Sequence, residues 1–113
     1  LYHGKKLWLA NLPKPVGELV LDEGAVTALQ KRGKSLLPIG VREVRGSFGV
    51  GAPVRCLSEA GEVIGIGLCN YKSIEVDLIK GRHTEEIENL IGYKHSDEVI
   101  HRNNFVLIGD MVE

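Results

Sequence analysis

The residue types best suited to chemistry gather between Lys31 and Gly46. Five cations, Lys31, Arg32, Lys34, Arg42 and Arg45, stand there against one carboxylate, Glu43, a local net of +4 in a chain of formal charge −1. The other 97 residues therefore carry −5. Arginine and lysine around a helix end and the strand after it can hold phosphate oxygens by charge-assisted hydrogen bonds. The same pattern also serves as a solvated face whose cations complement the negative end of a helix dipole. Gly33 lies inside the cluster, so the candidate nucleic-acid site is Lys31, Arg32, Gly33, Lys34, Arg42 and Arg45.

Other chemistries find less support. Gly33-Lys34-Ser35 imitates the end of a phosphate-binding P-loop, but Ala28 stands where the motif's leading glycine belongs. The trio also follows a helix instead of opening one. Gly46-Ser47-Phe48-Gly49-Val50-Gly51 is glycine-rich, yet Ala52-Pro53-Val54-Arg55 reads as strand, and a phosphate cradle needs a helix there. His83, His95 and His101 lack metal-ligand spacing and lie in polar stretches; His101, beside Arg102, is the one suited to a buried structural hydrogen bond. Adjacent carboxylates at Glu85-Glu86 and Asp97-Glu98 diverge on a helix, so they read as helix-start or surface charges. No nucleophile has an obvious base, and no catalytic or metal-binding residue is assigned. Cys56 and Cys69 lie 13 residues apart with no CxxC, which fits buried apolar thiols in a reducing cytoplasm.

The elements that must position these groups are short. Leu36 to Tyr71 carries brief apolar runs separated by glycine turns, the pattern of half-buried strands forming the wall of a small barrel. Ile64, Ile66 and Leu68 alternate with Gly65 and Gly67, so one strand face is bare backbone against which something must pack closely. Ser58-Glu59-Ala60-Gly61 reads as a hairpin turn, and Gly46 to Gly51 as a similar turn one connection earlier, with Phe48 to plug the barrel end. Glu18 to Leu21 is a brief strand. Asp22 caps a helix over 22–32 that carries Ala25, Val26, Ala28 and Leu29 on its apolar face and ends at Gly33. A second helix carries Ile74, Val76, Leu78 and Ile79, and a third begins at a Thr84 cap and presents Ile87, Leu90 and Ile91. Tyr93 to Arg102 is mixed and polar, Asn103-Asn104 turns, and Phe105 to Ile108 reads as a fully buried final strand. The fold class is mainly β with short α-helices, a mixed α+β pseudobarrel.

Length and charge set the bounds. At 113 residues there is room for one domain that folds without staples. A near-neutral total offers no global basic field for a membrane surface or for DNA, so any nucleic-acid site is local. Leu7-Trp8-Leu9-Ala10 is too short for a signal peptide, and nothing approaches membrane-spanning length. A chain that begins at Leu1 reads as a processed product or an excised fragment. Residues 1–17, basic and carrying Pro13 and Pro15, read as an extended linker whose Trp8 docks on a neighbouring surface.

Longer stretches add a resemblance. DEGAVTALQKRGKSLLPIGVREVRGSF at 22–48, GEVIGIGLCNYKS at 61–73, GRHTEEIENLIGY at 81–93 and DEVIHRNNFVLI at 97–108 resemble the C-terminal PUA domain of bacterial glutamate 5-kinases. The likeness runs from about Gly17 to Ile108, and Lys5-Lys6-Leu7-Trp8 is similar to the connection leaving that family's kinase domain. Ala52 and Asn103 stand where the family usually has Asp, and Lys72 where it has Ser. The resemblance implies a linker at 1–17, a PUA domain at 18–110, a tail at 111–113 and, as partner, a kinase domain of the same polypeptide. That kinase domain would phosphorylate the γ-carboxylate of L-glutamate with ATP and magnesium, the first step toward proline, in the cytoplasm. The fragment itself would hold no cofactor and act as a non-catalytic regulatory module that modulates the enzyme's feedback inhibition by proline and its metal dependence. PUA domains of RNA-modifying enzymes grip RNA with the first helix, the loop after it and nearby strands. Those positions coincide with the basic cluster here, so structured RNA is the alternative partner.

Overall fold

The computed structural model describes residues 14–111. Trp8 and most of the expected linker lie outside the described residues. Five strands form one mixed sheet: β1 (Gly17–Leu21), β2 (Val41–Arg45), β3 (Pro53–Ser58), β4 (Val63–Leu68) and β5 (Phe105–Leu107), in the order β2-β1-β3-β4-β5. β1 and β3 run parallel and every other pair is antiparallel. The helices are α1 (Glu23–Arg32), α2 (Ser73–Ile79), α3 (Ile87–Ile91) and α4 (Ile108–Met111), with single 3₁₀ turns at Pro38–Gly40, Thr84–Glu86 and Arg102–Asn104. This is the expected mixed α+β pseudobarrel.

The ends of α1 follow from its sequence. The Asp22 carboxylate accepts the Ala25 N–H at 2.8 Å, satisfying one of the helix's free donors. Gly33 takes a left-handed φ of 59°, and the Lys34 N–H then reaches back to the Ala28 carbonyl at 3.1 Å. Leu29 carries the helix onto a core built from Leu19, Leu21, Val54, Cys56, Tyr71, Val76, Ile79 and Ile100. Each aliphatic side chain among them contributes roughly 1.5–3 kcal/mol by leaving water.

The bare face of β4 is filled by β5 and the residues before it. A Cβ on Gly65 would fall 2.6 Å from the Phe105 ring and collide with the Val106 carbonyl, and one on Gly67 would sit 2.7 Å from Ile100. The backbones can approach only because both side chains are missing.

Several expectations change. Gly46 to Gly51 is not a hairpin, because β1 lies between β2 and β3; the segment instead crosses from one side of β1 to the other. Its Phe48 is buried against Gly17 as the end plug. Thr84 does not cap the third helix: its hydroxyl donates to the Asp97 carbonyl at 3.2 Å, and Glu86 accepts the His83 N–H at 3.1 Å. On α2 only Val76 and Ile79 of the four expected apolar residues face inward, joined by Glu75, while Ile74 and Leu78 face solvent. Val99 and Ile100 are fully buried within the stretch that reads as polar, since Leu36 pairs with Ile100 as an isolated antiparallel bridge. β5 stops at a half-buried Leu107, and Ile108 turns outward to start α4.

Glu75, a buried carboxylate, accepts the Tyr93 hydroxyl at 2.8 Å on each oxygen, tying the end of α3 to α2. The hydrogen bond to Glu75 raises the Tyr93 pKa above its ordinary value of about 10.

Two measurements check this packing. Gly65→Ala should lower unfolding free energy by about 1–3 kcal/mol in denaturant titration, because the neighbour to be displaced is backbone. Tyr93→Phe should cost about 1 kcal/mol, modest because the hydroxyl is partly solvated. Since the folded pKa lies above the unfolded one, that difference is present in full below pH about 10 and closes as pH rises through the folded value. A difference that grew with alkaline pH would contradict the assignment.

Candidate nucleic-acid interface

The predicted cluster does not stay together. Lys31, Gly33 and Lys34 line a cleft of about 400 Å³ between the C-terminal end of α1 and the Arg102–Asn104 turn. Leu29, Phe105 and Leu107 form its apolar part, and Arg102 and Asn103 supply the opposite polar rim. Arg32 lies away from this cleft. With Lys34 it borders a second groove of about 360 Å³, which runs past Ala25, Ala28, Leu37 and Ile39.

Arg42 and Arg45 lie on the edge strand β2, where their charge is already used. Arg42 pairs with Glu59 of the β3–β4 hairpin at 3.2 Å. Arg45 pairs with Glu43 at 2.9 Å and Glu18 at 3.5 Å, and Glu18 also takes Arg55 at 3.1 Å. The Arg45 hydrogen bond accordingly holds the Glu43 carboxyl below its usual range. These exposed pairs contribute little to stability, but they leave β2 nearly neutral.

No ion pair among the described residues involves Lys31, Arg32, Lys34 or Arg102. This cleft therefore gathers three cations, Lys31, Lys34 and Arg102, that have no ion-pair partner among the described residues. Two hydrogen bonds position its far rim: the Ser35 hydroxyl accepts the Arg102 N–H at 2.9 Å, and His101 Nδ1 accepts the Asn103 N–H at 3.0 Å. His101 thus shapes a turn in a half-exposed setting, unlike the buried role expected. Arg102 is the site residue that sequence reasoning missed. It lies 67 residues from Ser35, and no local spacing signals their meeting.

This arrangement can hold an anionic group by charge and hydrogen bonding, with an apolar floor for a flat or aliphatic portion. It contains no nucleophile paired with a base. Both cysteines are free and buried; burial pushes the Cys69 thiol up to about 11 and Cys56 further, so both stay protonated and unreactive. Among the described residues, no group of three or more His, Cys, Asp or Glu side chains could hold a metal ion, and no helix is long and apolar enough to cross a membrane.

With that geometry in view, three likenesses are informative. The chain is 57% identical over 110 residues to a glutamate 5-kinase from Meiothermus ruber, covering 97% of this chain but 29% of that protein. It therefore spans under a third of the curated relative's length. The crystal structure of a PUA domain from Aeropyrum pernix superposes with a TM-score of 0.56 at 24% identity, over 76% of this chain and 41% of that one. A chain of the archaeal box H/ACA sRNP Nop10-Cbf5 complex superposes with a TM-score of 0.50 at 18% identity, over 54% of this chain and 19% of its own. The sequence profile of the PUA domain itself matches residues 17–91, from the first residue of β1 to the last of α3. The chain belongs to the PUA domain family.

Proposed function

We propose that this chain is the non-catalytic regulatory PUA module of a glutamate 5-kinase, joined through residues 1–17 to a kinase domain of the same polypeptide. The observation that carries this reading is the 57% identity over 97% of the chain to a protein of that name. The active enzyme would transfer phosphate from ATP to L-glutamate in the cytoplasm, and two buried free thiols are in keeping with a reducing compartment. ATP and magnesium belong to the kinase portion. Gly33-Lys34-Ser35 follows a helix, where a phosphate-binding P-loop opens one.

Assayed with ATP, magnesium and glutamate, the natural-length polypeptide should form glutamyl phosphate and purified residues 1–113 should form none. Removing residues 14–113 from the natural-length polypeptide should shift the proline concentration that half-inhibits it. Product from the isolated fragment would overturn the non-catalytic reading, and an unchanged proline response would overturn the regulatory one.

A second reading, an RNA-binding module, is favoured by one observation: the cleft gathers Lys31, Lys34 and Arg102, none of them ion-paired among the described residues. The acidic remainder of the chain opposes extended contact with a phosphate backbone. Fluorescence anisotropy of a structured RNA, at low and at physiological salt, separates the two readings. For an RNA module, Lys34→Glu with Arg102→Glu should weaken binding strongly and lower the salt slope by about 2, one unit per lost phosphate contact. Arg42→Glu with Arg45→Glu should matter less, because both arginines already face carboxylates. Equal, weak binding by all three proteins would dismiss RNA as the partner.

A further inference from the structure

One face of α2 has no partner among the described residues. Glu75, Val76 and Ile79 point into the core, whereas Ile74 and Leu78, one turn apart, are 65% and 54% exposed. Apolar surface continues at both ends of the helix. At its start, the Ser73 N–H donates to the Phe48 carbonyl at 3.0 Å and the Ser73 hydroxyl accepts the Phe48 N–H at 3.1 Å. These bonds hold the Gly46–Gly51 crossover against that end, with Val50 61% exposed. Beyond its last turn, the Gly81 N–H donates to the Pro38 carbonyl at 2.8 Å, which brings up the 3₁₀ turn carrying Ile39, 43% exposed.

Four of the eight exposed large apolar side chains among the described residues belong to this line of elements. Isolated exposed apolar residues are ordinary, but a pair one helical turn apart, with more on the segments bonded to the same helix, marks a contact surface. Asp77 and Lys80 beside them pair at 2.6 Å, and Lys72 at the helix start is the exposed charge left among them. Such a face suits an apolar protein surface.

We propose that this face of α2, with Val50 and Ile39 at its ends, docks onto the kinase portion of the same polypeptide; the inference rests on the accessory-module reading above. Two observations choose that occupant. The chain spans 29% of a glutamate 5-kinase relative, so most of such a polypeptide lies outside it and needs a seat. The residues that lead into β1 also meet the crossover that borders this face. The Val16 N–H donates to the Pro53 carbonyl at 2.9 Å, and a Cβ on Gly46 would lie 3.0 Å from the Val16 carbonyl. Gly46 opens the crossover that carries Val50, so Val16 lies at the start of that crossover. A seven-residue helix, about 10 Å long, makes a small interface. A small interface suffices between tethered partners, because the linker keeps the effective concentration near millimolar.

Photo-cross-linking of the natural-length polypeptide tests this. Benzoylphenylalanine replaces Ile74 in one preparation and Ile108, 44% exposed on α4, in a control. Position 74 should yield a product of single-chain mass joined to residues of the kinase portion, position 108 should not, and adding Leu78→Glu should cut the position-74 yield roughly tenfold. The excised domain carrying Ile74→Glu and Leu78→Glu should keep its denaturation midpoint, which separates lost docking from lost folding. Cross-links to a second copy or to RNA, or none at all, would overturn the docking face. Glutamyl phosphate formation in the same preparations separates the two levels: activity without the cross-link removes only the docking face, while no activity removes the accessory-module reading and this inference with it.

Discussion

A single backbone contact closes this domain. The sheet order leaves β2 and β5 as its two edges, and Leu36, just upstream of β2, pairs with Ile100, just upstream of β5. The Leu36 N–H donates to Ile100 at 2.9 Å and the Val99 N–H donates back to Leu36 at 2.7 Å. All three side chains are fully or nearly fully buried, so these hydrogen bonds work away from competing water. Much else follows from that closure. It draws the chain after α1 against the chain before β5, so that Ser35 meets Arg102 and the cationic cleft acquires its second rim.

The closing segment needs anchoring of its own, for residues 93–101 form no regular element beyond the one bridge. Asn70 and Tyr71 supply it. The Asn70 N–H donates to the Val99 carbonyl at 2.7 Å and its side-chain amide to the Glu98 carbonyl at 3.0 Å, while the Tyr71 hydroxyl accepts the Ser96 N–H at 2.8 Å. Tyr71 is completely buried, so a phenol without these partners would be costly. The glycines of β4 complete the arrangement from the other side by letting Phe105 lie on bare backbone. Short strands thus reach a stable core through close approach where long ones would reach it through area.

The surface divides by chemistry. Positive charge without ion-pair partners gathers at the α1 end beside the Arg102 turn, the arginines of β2 are neutralised by Glu18, Glu43 and Glu59, and uncovered apolar side chains run along α2. An accessory module needs a face for the rest of its chain, and the α2 stripe has the composition for it. The cleft is built from different residues, so occupying one need not obstruct the other.

Much of the fold was legible in local pattern. Asp22 before an apolar helix face, Gly33 after it, the Ser58–Gly61 hairpin and the glycine alternation of β4 are signals in which neighbours in sequence are neighbours in space. The family, too, could be read from stretches such as SLLPIGV and GRHTEEIENLIGY. What sequence could not convey was every decision made by distant partners. β1 took both β2 and β3 as neighbours, which turned an expected hairpin at Gly46–Gly51 into a crossover. The bridge to Leu36 buried Val99 and Ile100 in a stretch of polar composition, and packing on α3 and β2 determined which side of α2 turned inward. The basic cluster shows the same division most clearly. Sequence set its five cations side by side, but only the tertiary structure could pair two of them with carboxylates and bring Arg102 to two of the others, because Coulomb attraction depends on distance in space and not along the chain.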